Sequence, residues 1–182
     1  MAFLDDLLRR WRFSMAASHV PTGCRLLDVG SEEGFFLDML EGRFSRAVGI
    51  DPVYKEVQHQ DRRLMVPGRF PHDLEAVQGP FDVITMIAVL EHLPVDDLEG
   101  AARACSELLA PGGRVIITMP SPGVDNILKV LKKLGLVEAR SLDEHHGLSP
   151  HNVLSIFQEQ GFRIQVRKKF QLGLNNLMVL HK

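Results

Sequence analysis

Cysteine is scarce in this chain: Cys24 and Cys105 are the only two among 182 residues, and they form no C-x-x-C pair. Both lie in apolar contexts, so neither a disulfide framework nor a cysteine-ligated metal organises the fold. A reducing cytoplasm is the simplest setting, and no metal site is expected. No apolar run approaches the ~20 residues that cross a bilayer. The opening MAFLDDLLRRWRFSMAA carries Asp5 and Asp6 near its start and lacks the basic-then-apolar order of a secretory leader. Net charge is only -2, so bulk electrostatics names no nucleic-acid or anionic-membrane partner. Repeats and low-complexity linkers are missing too. What remains is 45% hydrophobic and 24% charged, the balance of one globular domain with room for a sizeable core.

Strand and helix patterns alternate along the chain. Residues 25–29 (RLLDV) read as a strand, 34–42 as a helix, and 46–50 (RAVGI) as a short strand ending at Asp51-Pro52. The spacing predicts a weak helix over 53–60, a weak strand over 63–67, a helical turn near 72–77 and a strand over 81–87. Pro94, Asp96 and Asp97 open a helix over 94–109, Pro111-Gly112-Gly113 turns the chain, and 114–119 (RVIITM) is a strand. A helix over 123–135 and a loop over 138–148 follow. Ser149 and Pro150 suit the N-cap and first turn of a helix over 150–160, and Gly161 suits its end. Residues 162–167 alternate like an edge strand, and 174–181 make the last strand. Strands separated by helices imply a doubly wound, mostly parallel, Rossmann-like sheet of seven strands with helices on both faces. The last two strands have too short a connection for a crossover, so the final strand should pair antiparallel.

Before this body, Phe3, Leu4, Leu7, Leu8 and Trp11 make an amphipathic stripe, so residues 1–19 read as a helix and 20–182 as the main domain. Such a stripe usually packs on a core or a second subunit rather than lying in a membrane interface.

In an open α/β sheet, ligands bind beyond the C-terminal strand ends, where the strand order reverses. The segment LLDVGSEEGFFLDML (26–40) puts a strand, a glycine turn (Gly30 to Gly34) and a helix there. Asp51 stands 21 residues beyond Gly30, a spacing that suits an acid taking a ribose diol. A dinucleotide fingerprint would need glycine near 32 and at 35, where Glu32 and Phe35 stand. A pyrophosphate would meet carboxylates in that turn, which disfavours NAD and FAD. An adenosyl ligand with a positive centre and no phosphate, such as S-adenosylmethionine, meets no such repulsion. Acids in a helix's first turn also interact well with its dipole, by ~0.3–1 kcal/mol, which accounts for Glu33 without a ligand.

Five segments together resemble class I S-adenosylmethionine-dependent methyltransferases of the small-molecule, quinone-biosynthesis branch. They are LLDVGSEEG, VGID at 48–51, FDVITMIAVLEHLP at 81–94, LLAPGGRVIITMP at 108–120 and HHGLSPHNVLSIFQEQGFRI, in family order. The resemblance implies S-adenosylmethionine as cofactor. Asp28 and Gly30 would border its methionine part, with Glu32 beside them, and Gly34 would allow close helix packing. Asp51, with Pro52 next to it, would hold the ribose; Phe70 would flank adenine, and Ile87 would contact the cofactor past its strand. Glu91 and His92 would pack and hydrogen-bond at the strand-to-helix turn.

Two positions depart from the family pattern. Glu32 replaces the middle glycine, and the acid usual after the third strand is out of register, with Arg69 near it and Asp73 slightly late. A catalytically degenerate member acting as a binding or scaffold module is therefore the alternative. A nucleic-acid methyltransferase would show Asn/Asp-Pro-Pro-aromatic after the fourth strand, where IAVL (87–90) stands.

Methyl transfer to an oxygen acceptor benefits from a general base, and His146 is the candidate, ahead of His92. The implied partner is a small-molecule acceptor, with O- or C-methylation expected. The chain has little inserted material for a lid, which leaves a homodimer as one way to complete the pocket.

Overall fold

The structure, a computed structural model, describes residues 2–122 and 148–182, with side chains from residue 5 onward. The helix read over 123–135, the loop over 138–147 and His146 lie outside the described residues. An N-terminal helix, α1 (Ala2–Ala17), precedes β1 (Cys24–Val29), α2 (Phe35–Met39) and β2 (Phe44–Asp51). Next come β3 (Gln58–Gln60), β4 (Arg63–Pro67), β5 (Phe81–Ile87), α3 (Leu98–Leu108) and β6 (Leu109–Pro120). The chain ends with α4 (Pro150–Glu159), β7 (Arg163–Phe170) and β8 (Asn175–His181).

These strands form one sheet in the order β3-β4-β2-β1-β5-β6-β8-β7. β4, β2, β1, β5 and β6 pair in parallel. β8 runs antiparallel to both neighbours, as the short β7–β8 connection requires. The chain order reverses at β1 and β5, which puts a crevice at their C-terminal ends.

Period-two geometry decides the layers. Adjacent Leu26 and Leu27 are both fully buried but point to opposite faces. Leu26 joins Ala16 and Ala17 of α1 and Phe36 and Leu37 of α2 in one core. Leu27 joins Ala101 and Cys105 of α3 and Val153 and Phe157 of α4 in the other. A strand covered on both faces reads as a continuous apolar run, as RLLDV does. Each such leucine contributes about 1.5–3 kcal/mol by burial.

The segment read as a weak helix over 53–60 instead forms a turn and a strand. Asp51 starts the turn: its carboxylate accepts from Val53 N–H at 2.8 Å, and its carbonyl accepts from Tyr54 N–H. Gln58–Gln60 then pairs antiparallel with β4, adding an eighth strand. All three of its residues are exposed, and so are Val53 and Val57 before it, so no buried face holds a helix there. The helical turn expected near 72–77 is a set of isolated turns, one of which has Arg69 C=O accepting from both His72 and Asp73 N–H. Pro111-Gly112-Gly113 turns within β6 as an irregularity, where pairing to β5 jumps from Phe81–Leu109 to Val83–Arg114. Ser149 caps α4 by accepting from Asn152 N–H at 3.2 Å, with Pro150 in the first turn. Along α1 the contacts come later than the stripe suggests. Leu7 and Trp11 are exposed, whereas Ala16 and Ala17 are buried and Phe13 packs on Phe36 with ring centroids 5.2 Å apart.

Candidate functional site

The crevice beyond β4, β2, β1 and β5 has a volume of about 740 Å³. Gly30, Glu32, Asp51, Pro52 and Phe70 line it, and Val89, Leu93 and Pro94 close its apolar wall. A second cavity of about 80 Å³ shares Gly30, Glu32 and Ala88 and runs beneath α1, where Arg9, Arg12, Asp28 and Ile87 line it. Seven of the eight cofactor candidates read from the sequence thus border one cavity or the other. Gly34 does not: it sits at the α2 N-cap at φ 85°, with Met65 Cε 3.3 Å from where a Cβ would stand.

The turn after β1 and the acid after β2 form one unit. Gly30 N–H donates to Ile50 C=O at 2.9 Å, which ties the turn to β2. Glu32 N–H donates to Asp51 Oδ2 at 2.9 Å, while Val53 N–H holds Oδ1. Asp51 is therefore oriented by two backbone groups 21 positions apart in sequence (32 to 53). A carboxylate has about four acceptor positions, so two remain for a ligand.

Glu32 adopts φ 46°, the left-handed region that glycine takes without penalty. The middle-glycine backbone shape is kept even though the residue is not glycine. Glu32 is exposed at the mouth of the crevice that it lines, so the departure adds both backbone strain and a carboxylate there. Ala88, at the end of β5, is also left-handed at φ 57° and donates its N–H to Thr118 C=O at 3.0 Å. Two non-glycine residues held in this region, both bordering the crevice, mark the kind of strain that gathers at functional sites. Gly30 itself, at φ 68°, has no room for a side chain, because a Cβ would lie 2.4 Å from Val89 Cγ2.

Asp28 is buried, and its Oδ1 accepts from Thr85 Oγ1–H at 2.6 Å. Burial pushes its carboxyl up to about 7; the Thr85 bond opposes this, and the negative charges of Asp51 and Glu32 add to it. Above this site lies Arg12 of α1, whose Nε is buried with no hydrogen-bond partner among the described residues. Burial pulls its guanidinium pKa down, while Glu91 and Glu32 act the other way. Sequence reasoning missed Arg12, Ala88, His72 and Asp97. Only the small size of Ala88 hinted at its backbone; the others reach the site through tertiary packing. Among the described residues, no cluster of His, Cys, Asp or Glu could hold a metal, and no helix is long and apolar enough to cross a membrane.

A mostly parallel sheet with an antiparallel β8, a glycine turn after β1 and an anchored acid at the end of β2 define a Rossmann-like fold with an open crevice at its switch point. A sequence model described as "Methyltransferase domain" matches residues 2–166, and the chain belongs to that family: it is a class I S-adenosylmethionine-dependent methyltransferase. It is similar to a ubiquinone biosynthesis O-methyltransferase of Escherichia coli (strain HS), 26% identical over 170 positions, with 75% of this chain and 70% of the relative covered. In fold it matches an S-adenosylmethionine-dependent methyltransferase from Archaeoglobus fulgidus (TM-score 0.72, 15% identity, 96% and 93% of the two chains). It also matches the N-methyltransferase NodS from Bradyrhizobium japonicum (TM-score 0.66, 16% identity, 98% of each chain).

Proposed function

We propose that this protein methylates a small-molecule acceptor at oxygen or carbon, with S-adenosylmethionine held in the crevice and the cavity beneath α1. The observation that carries this reading is Asp51, a carboxylate fixed by two backbone N–H groups and left with acceptor positions for a vicinal diol. The unpartnered Arg12 Nε suits a ligand carboxylate, and Asp28 with Glu32 suits an ammonium or sulfonium centre. Pro52, Phe70 and Val89 give the crevice apolar surface for a flat ring. The carboxylates of Asp28, Glu32 and Asp51 and the guanidinium of Arg12 therefore suit the parts of this cofactor. A phosphate-bearing ligand would face Glu32 and Asp51 instead.

S-adenosylmethionine, when bound, supplies a methyl group on a cationic sulfur that leaves without acid assistance. The chain's own work is then to orient and to exclude water. Asp51 fixes the sugar end, the Gly30 turn lets the backbone come close, and α1 covers the Asp28 end. An O-methyl acceptor also needs its proton removed, and we assign that step to His146. The name of the Escherichia coli relative, a ubiquinone biosynthesis O-methyltransferase, favours oxygen as the acceptor atom.

Calorimetric titration tests the reading. S-adenosylhomocysteine should bind the protein and NADH should not. Heat with NADH alone, or with neither compound, would replace this reading with an oxidoreductase or a scaffold. With an acceptor in hand, His146→Gln should lower turnover ~10²-fold or more while leaving S-adenosylhomocysteine binding unchanged.

A further inference from the structure

Asp73, the acid that stands slightly late after β4, is committed to its own loop. Asp73 Oδ2 accepts from Arg69 N–H at 2.7 Å. Its Cβ lies 2.7 Å from where a Gly68 side chain would begin, so Asp73 is folded under its own loop and does not line the crevice. A different carboxylate does. Asp97, at the entrance to α3, lines the crevice with only 24% of its side chain exposed, and His72 Nε2 lies 3.0 Å from its Oδ1. The pair ties the loop after β4 to the start of α3. Among the described residues, no bond engages the other carboxylate oxygen. Phe70, Val89 and Leu93 line the same crevice and supply apolar surface for a ring.

We propose that Asp97, oriented by His72, is the residue that selects the amino-bearing edge of the purine. A carboxylate only accepts hydrogen bonds. Its free oxygen therefore welcomes an exocyclic N–H and repels a keto oxygen at the same position. His72 is a positioning residue: its ring nitrogen, 3.0 Å from one oxygen, fixes that end of the carboxylate and leaves the other to the ligand. This proposal rests on the methyltransferase reading above, which supplies the adenosyl ligand.

The test compares two thioethers by calorimetry: S-adenosylhomocysteine and its deaminated counterpart, S-inosylhomocysteine. They differ at C6, amino against keto, and at the adjacent N1, which accepts in one and donates in the other. The wild-type protein should prefer the amino compound by ~10- to 100-fold, the range expected for a hydrogen bond to a charged group set against an unpaired one. Asp97→Asn, whose amide can donate to the keto oxygen, should bring that ratio close to one or invert it. His72→Ala should lower the ratio by a smaller factor while S-adenosylhomocysteine still binds. A wild-type ratio near one overturns the proposal without any variant, and so does an Asp97→Asn protein that binds both compounds at the wild-type ratio. If the wild type binds neither compound, the methyltransferase reading falls and this proposal falls with it. That result is distinct from binding without discrimination.

Discussion

Asp51 and Asp97 border the same crevice but are held by opposite means. Asp51 is the last residue of β2, and backbone N–H groups of Glu32 and Val53 grip both of its oxygens. Asp97 stands at the start of α3 and is met by one side chain, His72, which is itself 59% exposed. The first arrangement is part of the fold: the turn after β1, the end of β2 and the bend into Tyr54 all depend on it. The second is a bridge between two surface loops that the sheet does not need. Backbone-anchored groups set whether a ligand binds; side-chain bridges can set which ligand binds at little cost to stability.

Asp51→Ala should break this contrast most severely. It removes the carboxylate to which the ribose is assigned above and leaves two N–H groups without their acceptor. S-adenosylhomocysteine binding should weaken by ~100-fold or more, and unfolding should become easier by about 1–3 kcal/mol, read by calorimetry and urea melts.

Asp28 sharpens the comparison through pH. Its carboxyl is raised from the usual range near 3.8 to about 7, so between these values the folded state binds more protons than the unfolded chain. Stability should then fall as pH rises from about 4 to about 7, by an amount on the order of a few kcal/mol. Asp28→Asn keeps an acceptor for Thr85 and removes the titration. Urea unfolding across that window should be flatter for the variant, and the variant should be the more stable protein at pH 8.

Glu32→Gly should act the other way. It relieves a left-handed non-glycine residue while keeping the N–H that Asp51 accepts, and should stabilise by about 1 kcal/mol, or ~2–4 °C in Tm. Smallest of all should be the stability effect of His72→Ala. An exposed charge pair contributes ~0–1 kcal/mol, so the Tm should fall by no more than ~2–4 °C. A large loss of stability in this variant would place the bridge in the fold and erase the contrast with Asp51.

The readable half of this molecule is the half built from near neighbours in sequence. RLLDV, FDVITMI and RVIITM announced buried strands because continuous apolar runs have one stable use in a doubly wound sheet. Ser149-Pro150 fixed the start of α4, since capping needs only three residues. The Gly30-to-Asp51 spacing placed an acid beside the glycine turn because one crossover has a nearly fixed length. Residues 53–60 misled because Val53 and Val57, an apolar pair at helical spacing, stay exposed, and pairing with β4 decided the form of the segment's end. Arg12, Ala88 and the His72–Asp97 bridge left no comparable trace. Arg12 reaches the site only because α1 packs across the sheet, and His72 meets Asp97 from 25 positions away (72 to 97) through loops whose paths no local rule dictates. The stripe along α1 was legible as amphipathic, but which residues touch the body depends on where the helix lies.

A crystal structure of the protein with S-adenosylhomocysteine tests the central claim most directly. The account predicts the ribose hydroxyls on Asp51, the ring beside Phe70 and Val89, and the amino acid end under α1 between Arg12 and Asp28. A complex with the thioether bound outside this crevice, or with Asp51 turned away from it, would contradict the account.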